Sequence, residues 1–538
     1  MTTLDASSIR TDDGTQIPFT WAYPGADAYE WARDTEHWRT PMPPMARWLH
    51  EHWGNGIDRA RDEAGMEAPA MFYRFQCVGP FLYTRESPYE PDRMVRIVLR
   101  YREVSREHGG ALRFWLDYCR ARAERVAREL ASADGGTPLI EIAELWAYGF
   151  HQTFTSLALL FEASMRLRAS LTDAAGEDGA LLALEVTQGA ENASQAIDAE
   201  IWQLAELVRE APDIRRALEA AADASVLASL RSDPAAATFV AAFDALIGRH
   251  GSRSLGWELT QPTWRERPEA PLALVRAHLT SEALSPMDVR ARSDARRRDA
   301  IERALAVLPG AEHDAFSKNL ARLEGMVRIR EDRAYWQMVL AGEVRTLLLR
   351  IGARLVASGR IECADDVLFL EPSDIEGVAA LDLRDVVSER RRAWARWREV
   401  APPAVIGTPS TPEEAPTAEP GAATAPNAAG AATLRGSPAS RGVVTGPARI
   451  IRTPDEGAAR LRSGDILVCV ASTPAWTPLF AIVAGIISET GGALSHPAIT
   501  AREYGIPAVV SVKDATATLR DGQLVTLDGS AGTVMLAT

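Results

Sequence analysis

The residues best suited to do chemistry lie in one run, SETGGALSHPAITAREYGIPAVV, at positions 488–510. Gly491-Gly492 makes a turn whose backbone can approach a ligand closely. Ser495-His496-Pro497 follows, then a short helical stretch that Gly505 can cap and Pro507 can stop. The spacing predicts His496 at the N-terminus of a short helix, directly after a glycine turn. At that end the helix dipole disfavours imidazolium, so a neutral ring can attack phosphorus through a nitrogen lone pair. Free N–H groups of the helix start and the turn can then meet the phosphoryl oxygens. That makes His496 a candidate catalytic residue and Gly491, Gly492 and Ser495 candidate phosphate-binding residues. Taken alone, one histidine after a glycine pair reads first as a capping or core residue.

The elements that must hold this run in place are short and β-rich. Val443–Ile451, Asp465–Val470, Gly485–Ser488 and Ala508–Val512 read as strands, and LVTLDGSAGTVML near the end reads as a hairpin around Asp528-Gly529. Helical stretches fit near Trp476 and near His496. Residues 436–538 thus form a β/α domain of ordinary size.

Upstream, the texture changes twice. Residues 401–435 open with APPAVIGTPSTPEEAPTAEPGAATAPNAAGAA, almost wholly Ala, Pro, Gly, Thr and Glu. Such a stretch has little apolar surface to offset chain ordering and is expected to be a flexible linker, either a plain spacer or a tether spanning roughly 30 Å. Residues 1–400 are expected to be one mainly α-helical domain. Leu340, Val344, Leu347, Leu348, Ile351 and Leu355 recur at helical spacing, with Gly359 as a C-terminal cap. The stretches 110–131, 139–170, 180–230 and 300–358 have the same character. Thirteen of the fourteen tryptophans precede the linker, which points to core and groove positions there, with room for a bulky ligand pocket.

GGALSHPAITAREYGIPAVV closely resembles the phosphohistidine signature of the phosphoenolpyruvate-utilising enzymes. GSPASRGVVTGPARII at 436–451 and TPAWTPLF at 473–480 resemble two further segments of the same mobile domain. The resemblance implies a swivelling β/β/α domain with His496 as the phosphorylated residue. Two departures stand out. Many members carry Thr where Leu494 stands, and a Leu there resembles the rifampin phosphotransferase branch rather than the pyruvate enzymes; Pro497 replaces the commoner small residue. RHGSRSLGWELTQPTWRERP at 249–268, VRIREDRAYWQM at 327–338, DDVLFLEPSDI at 365–375 and HWRTPMPP at 37–44 resemble the middle domain of that branch. That domain helps recognise the phosphoryl acceptor, which singles out Arg253, Glu258, Arg330 and Glu331, with Asp332 beside them, as expected substrate-binding residues. An Arg can clamp a phosphoryl oxygen and a carboxylate can take a hydroxyl proton. Inter-helix salt bridges are the commoner use of such residues.

Composition narrows the rest. A net charge of -14 argues against nucleic acid and anionic membranes as partners. The four cysteines are scattered without a CxxC pair, as in a reduced cytoplasmic protein, and no metal site is expected. His50-Glu51-His52 reads as a solvated helix face rather than as ligands. No segment resembles the ATP-grasp domain of the branch or a Walker loop. The expected partner is therefore a separate ATP-grasp subunit, as in phenylphosphate synthase, binding the ATP and Mg²⁺; no cofactor is expected on this chain. The expected function is a phosphotransferase, converting ATP to AMP and phosphate while His496 passes a phosphoryl group to a small-molecule hydroxyl. That product is either final or activated for a further step. The alternative is a non-catalytic binding or scaffold subunit that keeps the fold.

Overall fold

The structure is a computed structural model. It describes residues 6–35, 38–53, 73–86, 96, 99, 103, 112–132, 138–152, 157–188, 192–254, 256–280, 285–376, 381–408, 433–492 and 495–536. Contacts divide the chain into two compact units. One comprises residues 1–158, 252–263 and 336–418, the other 159–251, 264–335 and 419–538. The division does not follow the 1–400 boundary expected from composition, because helices from the middle of the chain pack in one unit with the C-terminal sheet.

The first unit is helical around a core that includes Leu340, Val344, Leu347, Leu348, Ile351 and Leu355. These lie on the helix His313–Ala357, whose residues from 336 onward belong to this unit. Fully burying one such leucine contributes about 1.5–3 kcal/mol. Gly359, at φ +74, ends that helix as expected, with Arg360 N–H closing on the Leu355 carbonyl at 2.9 Å. The same unit also holds β-structure that a helical reading of residues 1–400 did not anticipate. Ala6–Arg10 pairs with Gln16–Thr20, and Tyr73–Val78, Phe81–Glu86, Glu30–Arg33 and Val405–Gly407 form a four-stranded antiparallel sheet. Val405–Gly407 comes from the expected linker. Pairing with Glu30–Arg33, and the Tyr83 hydroxyl donating to the Pro403 carbonyl at 2.7 Å, gives its backbone partners that composition cannot show. Residues 409–432 of that stretch lie outside the described residues.

His50 is the other correction in this unit. It is 7% exposed and does not line a solvated face. Its Nε2 accepts the Trp38 indole N–H at 3.0 Å, its Nδ1–H donates to the Ala46 carbonyl at 2.8 Å, and its ring stacks on Trp53. The apolar stripe of helix Pro44–Glu51 turns it inward.

The second unit contains the helices Ala193–Arg209, Pro212–Ala220, Ala224–Ser232, Ala237–His250, Glu269–Thr280 and Pro286–Val307, together with the eight-stranded C-terminal sheet. Across the sheet the strands run Thr433–Arg435, Thr533–Leu536, Leu524–Asp528, Val443–Ile450, Ile466–Cys469, Gly485–Ser488, Ala508–Val510, Ser437–Ser440. Val443–Ile450, Ile466–Cys469, Gly485–Ser488 and Ala508–Val510 are mutually parallel, and the last three are buried throughout. Uninterrupted apolar runs are what a strand covered on both faces requires. The hairpin turn is set by the Asp528 carboxylate, which accepts from the Ser530 and Ala531 N–H groups. Thr433–Arg435 and Ser437–Ser440 are edge additions that their composition concealed. The result is a large helical part with a C-terminal β/α sheet domain.

Candidate functional site

The site grows out of the turn after strand Gly485–Ser488. Gly491 has φ +107, and a Cβ there would stand 2.6 Å from the Ser495 Oγ, so only glycine allows the chain to double back this tightly. Ser495 N–H donates to the Gly492 carbonyl at 2.9 Å, and helix His496–Tyr504 begins at the next residue. Pro497 sits in its first turn, where a missing N–H costs nothing. Gly505, at φ +68, ends it, with Ile506 N–H closing on the Ala501 carbonyl at 3.0 Å. The Ser495 Oγ is buried and has no hydrogen-bond partner, and Gly492 is exposed. Leu494 lies outside the described residues.

His496 thus stands at the helix start with its side chain 11% exposed. Its Nδ1 lies 3.2 Å from Oε2 of Glu331, whose side chain is 6% exposed. With Nδ1–H donating to that carboxylate, Nε2 presents its lone pair. Thr477 Oγ1 is 3.4 Å from Nε2, and Thr500 Oγ1 is 3.4 Å from both ring nitrogens. Phe480, 1% exposed, closes the remaining side edge-on, with ring centroids 6.0 Å apart. A nucleophilic nitrogen, a carboxylate behind it and hydroxyls around it are the parts a reversible phosphoryl carrier needs.

The other expected substrate residues divide. Glu331 meets His496, whereas Arg253 and Glu258 belong to the first unit. Arg253 is 1% exposed. Glu258 is occupied by a loop: it accepts from Arg39 N–H at 2.7 Å, Thr40 N–H at 2.9 Å and the Thr40 hydroxyl at 2.9 Å. Asp332 accepts the Ala193 N–H at 2.7 Å, at the start of helix Ala193–Arg209. Arg330 is placed on the helix His313–Ala357, and its side chain lies outside the description. Among the described residues, no group of three or more His, Cys, Asp or Glu is arranged to hold a metal ion. No described helix is long and apolar enough to cross a membrane.

Thr477 and Thr500 were not singled out from the sequence as site residues. Thr477 lies in TPAWTPLF, already marked by its resemblance. Thr500 is one helical turn after His496, a spacing that puts both on one face.

Two domain families and several known proteins match this sequence. Residues 461–532 match the PEP-utilising enzyme mobile domain, and residues 152–331 match the rifampicin phosphotransferase fourth domain. The chain is 32% identical over 387 residues to a rifampicin phosphotransferase of Streptomyces sp, covering 70% of this chain and 43% of that protein. It is 29% identical over 469 residues to the prodigiosin synthesizing transferase PigC of Serratia marcescens, covering 82% and 48% respectively. The uncharacterized phosphotransferase YvkC of Bacillus subtilis is 29% identical over 375 residues, covering 69% and 45%. The chain spans less than half the length of each of these relatives. One domain match contains His496 and the other ends on Glu331, so the chain carries a PEP-utilising enzyme mobile domain and a rifampicin phosphotransferase fourth domain, and it is similar in sequence to these phosphotransferases.

Proposed function

We propose that this chain is a phosphotransferase in which His496 Nε2 carries a phosphoryl group between a nucleotide donor and a small-molecule hydroxyl. The observation that carries the reading is the 3.2 Å contact of His496 Nδ1 with Glu331. Attack through Nε2 leaves the ring protonated on Nδ1, hence cationic, and the Glu331 carboxylate stabilises that charge. On transfer to the acceptor the ring then departs as neutral imidazole, a far better leaving group than imidazolate. The acceptor's oxygen bonds to phosphorus, the bond from phosphorus to His496 Nε2 breaks, and the hydroxyl's proton is released to solvent. Thr477 and Thr500 are placed to contact phosphoryl oxygens at Nε2. Most of the catalysis is positioning and charge stabilisation, as is general for phosphoryl transfer.

In this reading the donor step is of the dikinase type. His496, ATP and water give phospho-His496, AMP and phosphate on an ATP-grasp domain that binds ATP with Mg²⁺. That domain belongs to a partner subunit in our proposal, and the chain acts in the cytoplasm. His496 is almost covered against Glu331, so the histidine domain must leave this position to be loaded and return to discharge. The buried nucleophile with its paired carboxylate favours this reading over a scaffold role.

Potassium phosphoramidate, which phosphorylates histidine rings without an enzyme, provides the test. It should place an acid-labile, base-stable phosphate on His496 that small hydroxylic acceptors discharge. Equal labelling of His496→Ala, or no acceptor-dependent discharge across a broad panel of alcohols and phenols, would overturn the proposal.

A further inference from the structure

The last turn of helix His496–Tyr504 is held as closely as its first. Arg296, on helix Pro286–Val307, donates through Nη2 to the carbonyls of Arg502 at 3.0 Å and Glu503 at 2.8 Å. These belong to the C-terminal end, where carbonyls lack helical partners and a cation is favoured. A Cβ at Gly505 would lie 2.7 Å from Arg296 Nη1, so the glycine both ends the helix and admits the guanidinium. From the same helix as Arg296, Ser293 Oγ donates to Glu503 Oε2 at 2.7 Å in a buried contact. The Tyr504 hydroxyl donates to Asp198 Oδ2 at 2.6 Å, and His278 Nε2–H donates to Asp198 Oδ1 at 3.0 Å. Asp198 and His278 each have side chains 1% exposed. Burial, and then the Asp198 carboxylate, hold the Tyr504 hydroxyl well above the ordinary tyrosine range, so it remains a donor.

Two helices of the second unit therefore hold three consecutive residues of the histidine helix, and a third braces the Asp198 carboxylate through His278. Buried polar contacts of this kind add little net stability compared with apolar packing, but they define one register. His496 and Tyr504 are eight residues apart, a rise of about 12 Å along the axis. A tilt of about 5° pivoting on the far end moves the imidazole by about 1 Å, and a misplacement of that size can slow a transfer on the order of a hundredfold. We propose that the Arg502–Gly505 turn is a docking latch, in which Asp198, Ser293 and Arg296 act as positioning residues that aim His496 at Glu331. The inference rests on the phosphoryl-carrier reading for its purpose, but its geometry can be tested independently.

The test follows the solvent exposure of His496 in the full chain. Diethyl pyrocarbonate acylates an accessible imidazole nitrogen, releasing carbon dioxide and ethanol, and mass spectrometry locates the product residue by residue. Tyr504→Phe and Arg296→Met should each speed acylation of His496 roughly fivefold or more, the scale of one lost hydrogen bond. Acylation of His313, which is partly exposed at the start of another helix, serves as reference and should not change. A general loss of structure would speed both histidines together and count against the latch. Unchanged His496 acylation in both variants, with circular dichroism of the native chain, would equally overturn it. Acylation does not require His496 to carry phosphate. Failure of phosphoramidate loading would therefore sink the proposed function and leave the latch intact, while unchanged acylation would sink the latch alone.

Discussion

Replacing Glu331 with Gln isolates the charge behind the nucleophile. The amide oxygen can still accept from His496 Nδ1–H, so shape and hydrogen bond persist while the carboxylate's charge is lost. In the wild-type chain the two side chains are 11% and 6% exposed, so water screens the pair poorly. A hydrogen bond to a charged group contributes about 1.5–3 kcal/mol and a neutral one about 0.5–1.5 kcal/mol. The difference, about 1–2 kcal/mol, favours the protonated phospho-ring and the transition state in which it leaves over the deprotonated phospho-ring, which would have to depart as imidazolate. At about 1.4 kcal/mol per decade, onward transfer should slow roughly five- to thirtyfold. The assay is single-turnover: load the chain with phosphoramidate, remove the reagent, add a discharging alcohol, and follow phosphohistidine by ³¹P NMR. Loading itself should be nearly unaffected, because it takes place with His496 away from Glu331. Discharge of Glu331→Gln at the wild-type rate would show that the carboxylate does not hold the ring during transfer, and the catalytic role assigned to it would have to be given up.

Other substitutions probe the supports. Thr477→Val removes a hydroxyl 3.4 Å from His496 Nε2 with little change in volume, and should slow discharge by roughly the fivefold of one lost hydrogen bond while the melting temperature barely moves. Gly505→Ala forces a side chain into a φ of +68 beside Arg296, and should cost about 1–2 kcal/mol in denaturant unfolding. Glu258→Ala strands the N–H groups of Arg39 and Thr40, at about 1–3 kcal/mol for each donor left unsatisfied. It should lower stability in thermal melts and leave phosphoramidate labelling of His496 unchanged, which separates a loop anchor from a substrate residue.

Local features were legible because local chemistry controls them. The Gly491 turn, Pro497 in the first turn and the Gly505 cap each follow from the conformations those residue types allow, so the helix carrying His496 could be drawn from the sequence. The apolar spacing along residues 340–355 likewise marked a buried helix face. Strand Val405–Gly407 could not be read this way. Its Ala- and Pro-rich surroundings suggest unstructured chain, and it is ordered by pairing with Glu30–Arg33, where Trp31 lies 375 positions before its partner Ile406. His50 was misplaced for a related reason: Glu51 and His52 beside it suggest a solvated face, while two of the indole rings that bury it, Trp38 and Trp146, come from other segments of the chain.

The functional site divides along the same line. Sequence alone determined the glycine turn and the short helix that begins at His496, since both lie within a span of fifteen residues where backbone preferences dominate, and resemblance singled out His496 as the candidate nucleophile. Glu331 could be named as a candidate by resemblance, but its partner could not. The contact joins residues 165 positions apart, and nothing in the spacing of either segment encodes it. Asp198, His278, Ser293 and Arg296 were unremarkable polar residues on amphipathic helices until packing brought them to Tyr504 and its neighbours. Only the tertiary structure decided which polar groups would be buried together, because burial and pairing depend on three-dimensional neighbours, and those neighbours set whether a carboxylate such as that of Glu331 is a solvated surface group or the buried partner of an imidazole.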